Sequence, residues 1–271
     1  MGEKNLPKLT ETKRKKLVET TGELYEKTQE NIAPVIVGFA DHLLKSLVAK
    51  GPETKIVFLA RDGVGALKAA QLLLEKFPDE YTGVSSEQLV YAYFTRKTVY
   101  NSSADLLSQY LQQLGVNKGD KIVIADIGMY GTVIGPLKSK LSDLSITGIE
   151  YLISRTRAAK DFIDDGGEKQ LDVLRTIAGN LAIHFLEDTY SGPIQSPNHL
   201  VETEMGIEPD TKNDGYSPEI TIKRKFALRA IGDYVRSLIS TKIDIDEAKG
   251  KLNDFLSDLS NFKDLMVPHE R

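Results

Sequence analysis

Four short apolar segments, each followed by a stretch with helical periodicity, constrain the fold of this chain more than any other feature. They read KIVFLA at 55–60, QLVYAYFT at 88–95, GDKIVIAD at 119–126 and SITGIEYLIS at 145–154. Segments of about ten to fifteen residues with apolar positions at helical spacing lie between them. Near-continuous apolar strands that alternate with helices are typical of a parallel sheet covered on both faces. The sequence therefore predicts an α/β fold with a doubly wound, mostly parallel sheet.

Helices are also predicted on both sides of this core. Before it, helical spacing indicates one helix over about 10–32 and a second in APVIVGFADHLLKSLVAKG, beginning around Pro34. After it come a helix at 168–187, an irregular segment at 188–219, and closing amphipathic helices in KRKFALRAIGDYVRSLIS and DEAKGKLNDFLSDLSNF. An irregular segment of that length is usually functional, and we expect it to close over a site as a lid.

Charge and composition exclude several classes of protein. The chain has 35 Lys and Arg against 39 Asp and Glu, a net charge of -4 at pH 7, whereas a general nucleic-acid-binding protein needs a concentrated excess of cations. Without cysteine it can form no disulfide, thiolate zinc site or cysteine nucleophile. Residues 1–16 hold no apolar stretch typical of a signal peptide, and no long uncharged apolar run follows. We therefore expect a cytoplasmic protein with neither nucleic acid nor membrane as a partner.

The first predicted strand is followed by an unusual turn, ARDGVGA at 60–66. In an open α/β sheet, ligands bind where strands end and helices begin. Arg61 offers a bidentate contact to a phosphate, and Gly63 and Gly65 would let the backbone bend sharply and approach a ligand. The alternative is purely structural: Asp62 caps the following helix and the glycines only make a tight turn.

The third predicted strand is followed by a second turn of this kind, ADIGMYGTV at 125–133. Asp126 stands at the strand end, where a carboxylate can bind sugar hydroxyls. The small residues after it favour a nest of backbone amides that holds a phosphate. The predicted phosphate-binding residues are Gly128, Met129, Tyr130, Gly131 and Thr132. The alternative is that Thr132 is only the N-cap of the next helix.

Cationic residues end the other two predicted strands. Arg96 and Lys97 end the second strand in YFTRKT, and Arg155 ends the fourth in SRTR. These side chains would project over the same edge of the sheet as anchors for an anion. Otherwise they are solvated strand ends.

Over residues 55–157 the chain resembles the type I phosphoribosyltransferases. In that family a loop after the first core strand binds pyrophosphate, a cationic residue often follows the second, and an acid-rich loop ending in TGxT holds the ribose 5-phosphate after the third. Here KIVFLARDG, VYAYFTRK and KIVIADIGMYGTV occur in that order. The chain departs from the family in two places: Ala125 stands where a second acid is usual, and YGTV replaces TGxT.

A second resemblance covers most of residues 30–195. The set APVIVGF, FLARDG, ADIGMYGT and FLEDTYSGP is similar to a bacterial domain that often follows a haloacid-dehalogenase-type phosphatase domain in proteins associated with glycosyltransferases. That phosphatase chemistry needs an Asp-x-Asp after a strand, with one carboxylate attacking phosphorus. Here Gly128 occupies the position of the second acid after Asp126. Phosphoester hydrolysis is therefore the least favoured hypothesis.

The turns and the resemblances together imply a phosphoribosyltransferase-like enzyme. It would bind phosphoribosyl pyrophosphate or a related sugar phosphate with Mg²⁺, and transfer the ribosyl phosphate to an acceptor that the sequence does not identify. The predicted catalytic residues are Arg61, Asp62 and Asp126, and Asp126 is also the predicted metal ligand. The predicted substrate-binding residues are Gly63, the 128–132 loop, and the cations Arg96, Lys97 and Arg155. The alternatives are a non-catalytic nucleotide or sugar-phosphate binding module, or a haloacid-dehalogenase-like phosphatase.

The predicted organisation has four parts. Residues 1–50 form N-terminal helices, 51–160 the α/β phosphate-binding core, 161–225 a helix with an irregular lid or hood segment, and 226–271 the C-terminal helices. The predicted partner is a small molecule, a sugar phosphate or nucleotide. The sequence leaves open whether the protein is a homodimer.

Overall fold

The protein's computed structural model describes residues 10–60, 63–126, 133–142, 144–152, 185–186, 189–190, 197–210 and 217–266. Its helices are α1 (Glu11–Lys27), α2 (Ala33–Lys50), α3 (Val64–Lys76), α4 (Arg96–Asn101), α5 (Ala104–Gln113), α6 (Ile134–Lys140), α7 (Pro218–Ser237) and α8 (Ile245–Ser257). Its strands are β1 (Thr54–Leu59), β2 (Leu89–Ala92), β3 (Lys121–Asp126), β4 (Ser145–Tyr151), β5 (Leu200–Thr203) and β6 (Gly206–Pro209). Short 3-10 turns occur at Pro78–Tyr81, Ser86–Gln88, Leu259–Asn261 and Lys263–Leu265.

The predicted parallel α/β core is confirmed. Strands β1 to β4 form one sheet in the order β2-β1-β3-β4, and all of their pairings are parallel. In the register, Phe58 of β1 lies opposite Tyr91 of β2 and Ala125 of β3. Each strand begins within two residues of the position that its apolar segment predicts, because burial on both faces leaves few polar positions inside a strand.

Helices cover both faces of this sheet. On β1, Ile56 and Phe58 belong to an apolar cluster with α2, α3, α7 and α8, whereas Val57 and Leu59 belong to a second cluster with α4, α5 and α6. Successive residues of a strand point to opposite faces, so the alternation follows directly from the strand geometry. The sheet is thus the middle layer of three.

The N-terminal segment forms one helical rod rather than two helices separated at Pro34. Helices α1 and α2 are joined by a π-helical turn at Thr28–Ile32, in which the Ala33 N–H bonds to the Thr28 carbonyl, five residues back. Proline removes an i to i−4 hydrogen bond and crowds the preceding turn. The wider π-turn just before Pro34 accommodates both effects, so the expected break becomes a local change of winding.

This rod, Glu11–Lys50, is long and apolar enough to cross a bilayer by length and composition. Its most apolar 18-residue window has a mean hydropathy of 1.5, and 61% of that window is buried inside the protein. The core helix of a soluble protein passes the same test. This one helix is therefore weak evidence for any location.

The C-terminal part differs from expectation in one element. Helices α7 and α8 confirm the two predicted closing helices, but strands β5 and β6 form an antiparallel hairpin inside the segment predicted to be irregular. The Gln113 side chain on α5 fastens this hairpin, since it accepts from the Ile207 N–H at 2.7 Å and donates to the Ile207 carbonyl at 3.0 Å. This part of the expected lid is a docked structural element. The helix predicted at 168–187 falls almost wholly outside the described residues.

Candidate functional site

The strand order places the two singled-out turns side by side. From β1 the chain goes to β2 on one side, while β3 pairs with β1 on the other, so the order reverses between β1 and β3. Phe58 aligns with Ala125, which brings the ends of the two strands, Leu59 and Asp126, to the same edge. Ligands of open α/β sheets bind at such a point, outside the carboxyl ends of the strands. This edge is the candidate site.

The start of α3 lies tightly against the end of β1. The Gly63 N–H donates to the Leu59 carbonyl at 2.9 Å, and a Cβ on Gly63 would lie 2.5 Å from that same oxygen. The φ of Gly63 is −65°, so the residue is needed for close approach rather than for an unusual backbone angle. A Cβ on Gly65 would lie 3.2 Å from the Ile231 side chain of α7. Both glycines therefore make room for neighbouring protein atoms, and the binding of a ligand at this turn stays a prediction.

Asp126 is the carboxylate with which β3 ends at this edge. It ends β3, is partly buried, and its carbonyl accepts from the Leu152 N–H at 3.1 Å. Ala125 before it is 1% exposed and packs in the cluster with α2 and α3. Strand alternation therefore turns Asp126 to the opposite face, toward α4 to α6. An acid at position 125 would point to the face covered by α2 and α3, away from the Asp126 side chain, so this strand end presents a single carboxylate toward α4 to α6.

The expectation that Arg96 and Lys97 end the second strand is wrong. Strand β2 ends at Ala92, and the two cations open α4, where the Thr95 hydroxyl accepts from the Thr98 N–H at 3.1 Å. A threonine cap satisfies an amide at the helix start, so the chain turns into a helix rather than extending. Both side chains are exposed. They still follow the carboxyl end of β2, next to the candidate site.

The far end of α4 is held by Lys140 of α6. Its ammonium group donates to the carbonyls of Val99 at 2.7 Å, Tyr100 at 3.1 Å and Ser102 at 2.6 Å. A cation at the last carbonyls of a helix compensates groups that lack helical partners. The contact ties the helix that carries the two cations to the helix that follows the second turn.

The remaining predicted site residues lie outside the described residues. They are Arg61, Asp62, Gly128, Met129, Tyr130, Gly131, Thr132 and Arg155. The described strand and helix ends flank each turn, at Ala60 and Gly63 and at Asp126 and Val133.

A buried acid near the same edge was missed by the sequence reasoning. Glu150 of β4 is 1% exposed, and its Oε2 lies 3.3 Å from Nε2 of His42 on α2. It aligns with Ala125, so it faces α2 and not the face to which Asp126 points. The two carboxylates are thus on opposite sides of the sheet. A glutamate inside the apolar run SITGIEYLIS was the available signal.

Within the described ranges, no group of three or more His, Asp or Glu side chains is arranged to hold a metal ion. Mg²⁺ is commonly held by one or two carboxylates together with substrate phosphates, so the single Asp126 carboxylate fits an ion shared with a ligand.

No protein-family model matches the chain, and no curated protein matches it significantly. The grounds for a function are therefore the geometry of this edge and the residues of its two turns.

Proposed function

We propose that the chain is a phosphoribosyltransferase-like protein that binds phosphoribosyl pyrophosphate, or a related sugar phosphate, between the ends of β1 and β3. The observation that carries the proposal is the adjacency of the two strand ends where the strand order reverses. Each of these ends leads into a turn that the sequence singles out for phosphate chemistry. The doubly wound phosphoribosyltransferase-like topology is part of the same proposal.

The ligand is proposed to lie across the two turns. Asp126 binds the ribose hydroxyls, and the amides of the 128–132 loop with the Thr132 hydroxyl bind the 5-phosphate. On the β1 side, Arg61 and the first backbone amides of α3 bind the pyrophosphate group. Arg96, Lys97 and Arg155 add positive charge at the rim. Negative phosphates and cationic side chains thus meet at one edge of a protein whose overall charge is -4.

In the proposed reaction, the bond between the anomeric carbon and pyrophosphate breaks, and its electron pair leaves with the pyrophosphate. The acceptor supplies the electron pair for the new bond to the same carbon and then loses its proton to solvent or to a base. Arg61 and the turn amides stabilise the charge that develops on the leaving group. Mg²⁺, held by Asp126 and the ligand, would neutralise part of that charge.

Binding without turnover is the second candidate, and one observation favours it. Ala125 is packed in the apolar core, so this strand end offers one carboxylate where phosphoribosyltransferases usually have two adjacent acids. A site with weaker control of the ribose would still hold the phosphates. In that case the protein senses a nucleotide or sugar phosphate.

Calorimetry with phosphoribosyl pyrophosphate and Mg²⁺ tests the shared part of both candidates. Saturable binding by the wild-type protein is expected, and its absence would overturn both. An acceptor screen then separates them: release of pyrophosphate supports the transferase, whereas binding without release supports the sensor. Release of orthophosphate from simple phosphoesters would contradict both and favour a phosphatase.

A further inference from the structure

A single ammonium group holds the far end of helix α4. Lys140 of α6 donates to the carbonyls of Val99 at 2.7 Å, Tyr100 at 3.1 Å and Ser102 at 2.6 Å, one for each of its three donors. Helix α4 has only six residues, and a helix of this length depends on its neighbours because it is not stable alone. The Lys140 contact is therefore a main determinant of the position of α4.

The start of α4 lies close to the end of β1. The Ala60 N–H, directly after β1, donates to the Ala92 carbonyl at the end of β2 at 2.8 Å. Thr95, the N-cap of α4, follows Ala92 by three residues, and Arg96 and Lys97 come next. Both of these side chains are exposed. The position of α4 therefore determines where the two cations lie at the carboxyl edge of the sheet.

Helices α4 and α6 form one unit on their face of the sheet. Val99 of α4 and the α6 residues Ile134 and Leu137 belong to one apolar cluster. Helix α4 follows β2 and α6 follows β3, and β1 lies between these two strands. Lys140 adds polar bonds to the apolar contact, so the helices that follow the strands on either side of β1 are held together.

Other bonds of α4 remain when the Lys140 contact is removed. The Thr95 and Thr98 hydroxyls donate to the Pro197 carbonyl at 3.3 Å and 3.1 Å. Val99 also stays in its apolar cluster. Loss of the Lys140 ammonium group should therefore loosen α4 without detaching it, and a protein that lacks this group should fold.

We propose that Lys140 is a positioning residue for the candidate site: it fixes α4 so that Arg96 and Lys97 are held where they meet the phosphates of the ligand. The proposal rests on the proposed function and assigns a role to a residue at the far end of α4 from the two cations. Side chains that are held in place before binding lose less conformational freedom when the ligand arrives, so the affinity is higher.

The first arm of the test is calorimetry with phosphoribosyl pyrophosphate and Mg²⁺. Lys140→Met removes the ammonium group from a side chain of similar length. Lys121→Met is the matched control, because it removes the same charge at the start of β3, where Lys121 lies 2.9 Å from the Glu53 carboxylate. We expect Lys140→Met to weaken binding about three- to tenfold and Lys121→Met to stay within about twofold of the wild type. Wild-type affinity in a folded Lys140→Met protein that has a loosened α4 would overturn the proposal.

The second arm is a double-mutant cycle in a protein that carries Arg96→Ala and Lys97→Ala. If Lys140 acts through these two cations, adding Lys140→Met there should change the affinity less than about twofold. The same loss in both backgrounds would overturn the proposal. Should the doubly substituted protein bind too weakly to measure, Lys97→Ala alone is the background, and a smaller loss than in the wild type is the expected result.

Hydrogen exchange measures the position of α4 without a ligand. The amides of Val99 and Ser102 bond to the carbonyls of Thr95 and Thr98, and both should exchange faster in Lys140→Met while β1 and β3 stay protected. Lys140→Arg keeps the charge and replaces the three separate donors with a planar group. Its affinity should fall only as far as its α4 amides exchange faster. Weaker binding with unchanged exchange at α4, in either variant, would contradict a positioning role.

The two arms separate this role from the proposed function. A wild-type protein that does not bind phosphoribosyl pyrophosphate removes the proposed function and the role of Lys140 with it. A wild-type protein that binds, together with a Lys140→Met protein whose affinity and α4 exchange are both unchanged, overturns the role of Lys140 alone.

Discussion

Gly63 determines how closely helix α3 approaches the end of β1. Its amide reaches the Leu59 carbonyl at 2.9 Å, and no side chain fits between the two. The closeness matters for the site because the first amides of α3 point to the same edge as the end of β3.

A methyl group at this position should therefore be costly. We expect Gly63→Ala to lower the free energy of unfolding by about 1–3 kcal/mol, because its Cβ would lie 2.5 Å from the Leu59 oxygen and the helix start must shift. Gly250→Ala is the matched control, since Gly250 lies inside α8 with nothing within 4 Å of a Cβ. There the change should stabilise by about 0.5–1 kcal/mol. Urea unfolding measures both, and equal effects in the two variants would contradict this account.

Single residues at the site were predictable to different degrees. Asp126 could be placed because it directly follows an apolar run whose strand end is unambiguous. Arg96 and Lys97 were misplaced because YFT continues the apolar pattern of β2, while the Thr95 cap that starts α4 is a local hydrogen bond. Glu150 was not identified, since burial of a charged side chain depends on contacts that spacing along one segment does not show.

At the level of elements, the β5–β6 hairpin depends on a side chain that is distant in sequence. Gln113 of α5 bonds both backbone groups of Ile207. Sequence patterns could not predict this hairpin, because its strands have four residues each and lie among prolines and polar residues. The π-turn escaped prediction for a similar reason: a change from i−4 to i−5 bonding leaves the apolar periodicity almost unchanged. Long apolar strands were predictable because a run of consecutive apolar residues indicates a strand that is buried on both faces.

Removing the Gln113 amide should loosen the hairpin selectively. We expect Gln113→Ala to cost about 1–2 kcal/mol, as two hydrogen bonds are lost. Hydrogen exchange at the Ile207 amide should accelerate, while exchange in β1 and β3 stays slow. Gln112→Ala, at an exposed neighbouring position on α5, serves as the control. Unchanged exchange at Ile207 would show that other contacts hold the hairpin.

On the scale of the whole molecule, stability at high pH depends on buried phenols. Tyr110 of α5 lies in the core cluster on the α4 to α6 face, and burial raises its pKa to about 12. The unfolded chain ionises this group near pH 10, so the stability it contributes is complete below about pH 10 and is lost as the pH rises toward 12.

Replacing this phenol should make stability less sensitive to alkali. Between about pH 9 and pH 11 the wild-type free energy of unfolding should fall, and Tyr110→Phe should lose about 1 kcal/mol less over the same interval. The variant loses only a 3.4 Å bond from the Tyr93 N–H, so its stability near pH 7 should change little. Urea unfolding across this pH range is the measurement. Parallel pH curves for the two proteins would contradict the assigned pKa shift.

For the whole molecule, we expect the carboxyl edge of the sheet, and not its opposite edge, to bind a sugar phosphate. Two acids at opposite ends of strand β3 form a matched pair. Asp126 is the last residue of the strand. Asp120 directly precedes its first residue, and its carboxylate lies 3.3 Å from the Lys55 ammonium group. Both can be replaced by alanine at opposite ends of one strand. Only the first replacement touches the proposed site.

Calorimetric titration of these two variants with phosphoribosyl pyrophosphate and Mg²⁺ is the most direct measurement. We expect Asp126→Ala to weaken binding at least tenfold, about 1.4 kcal/mol, and Asp120→Ala to bind within about twofold of the wild type. Binding by Asp126→Ala that equals the wild type, or no binding by the wild-type protein, would contradict this expectation.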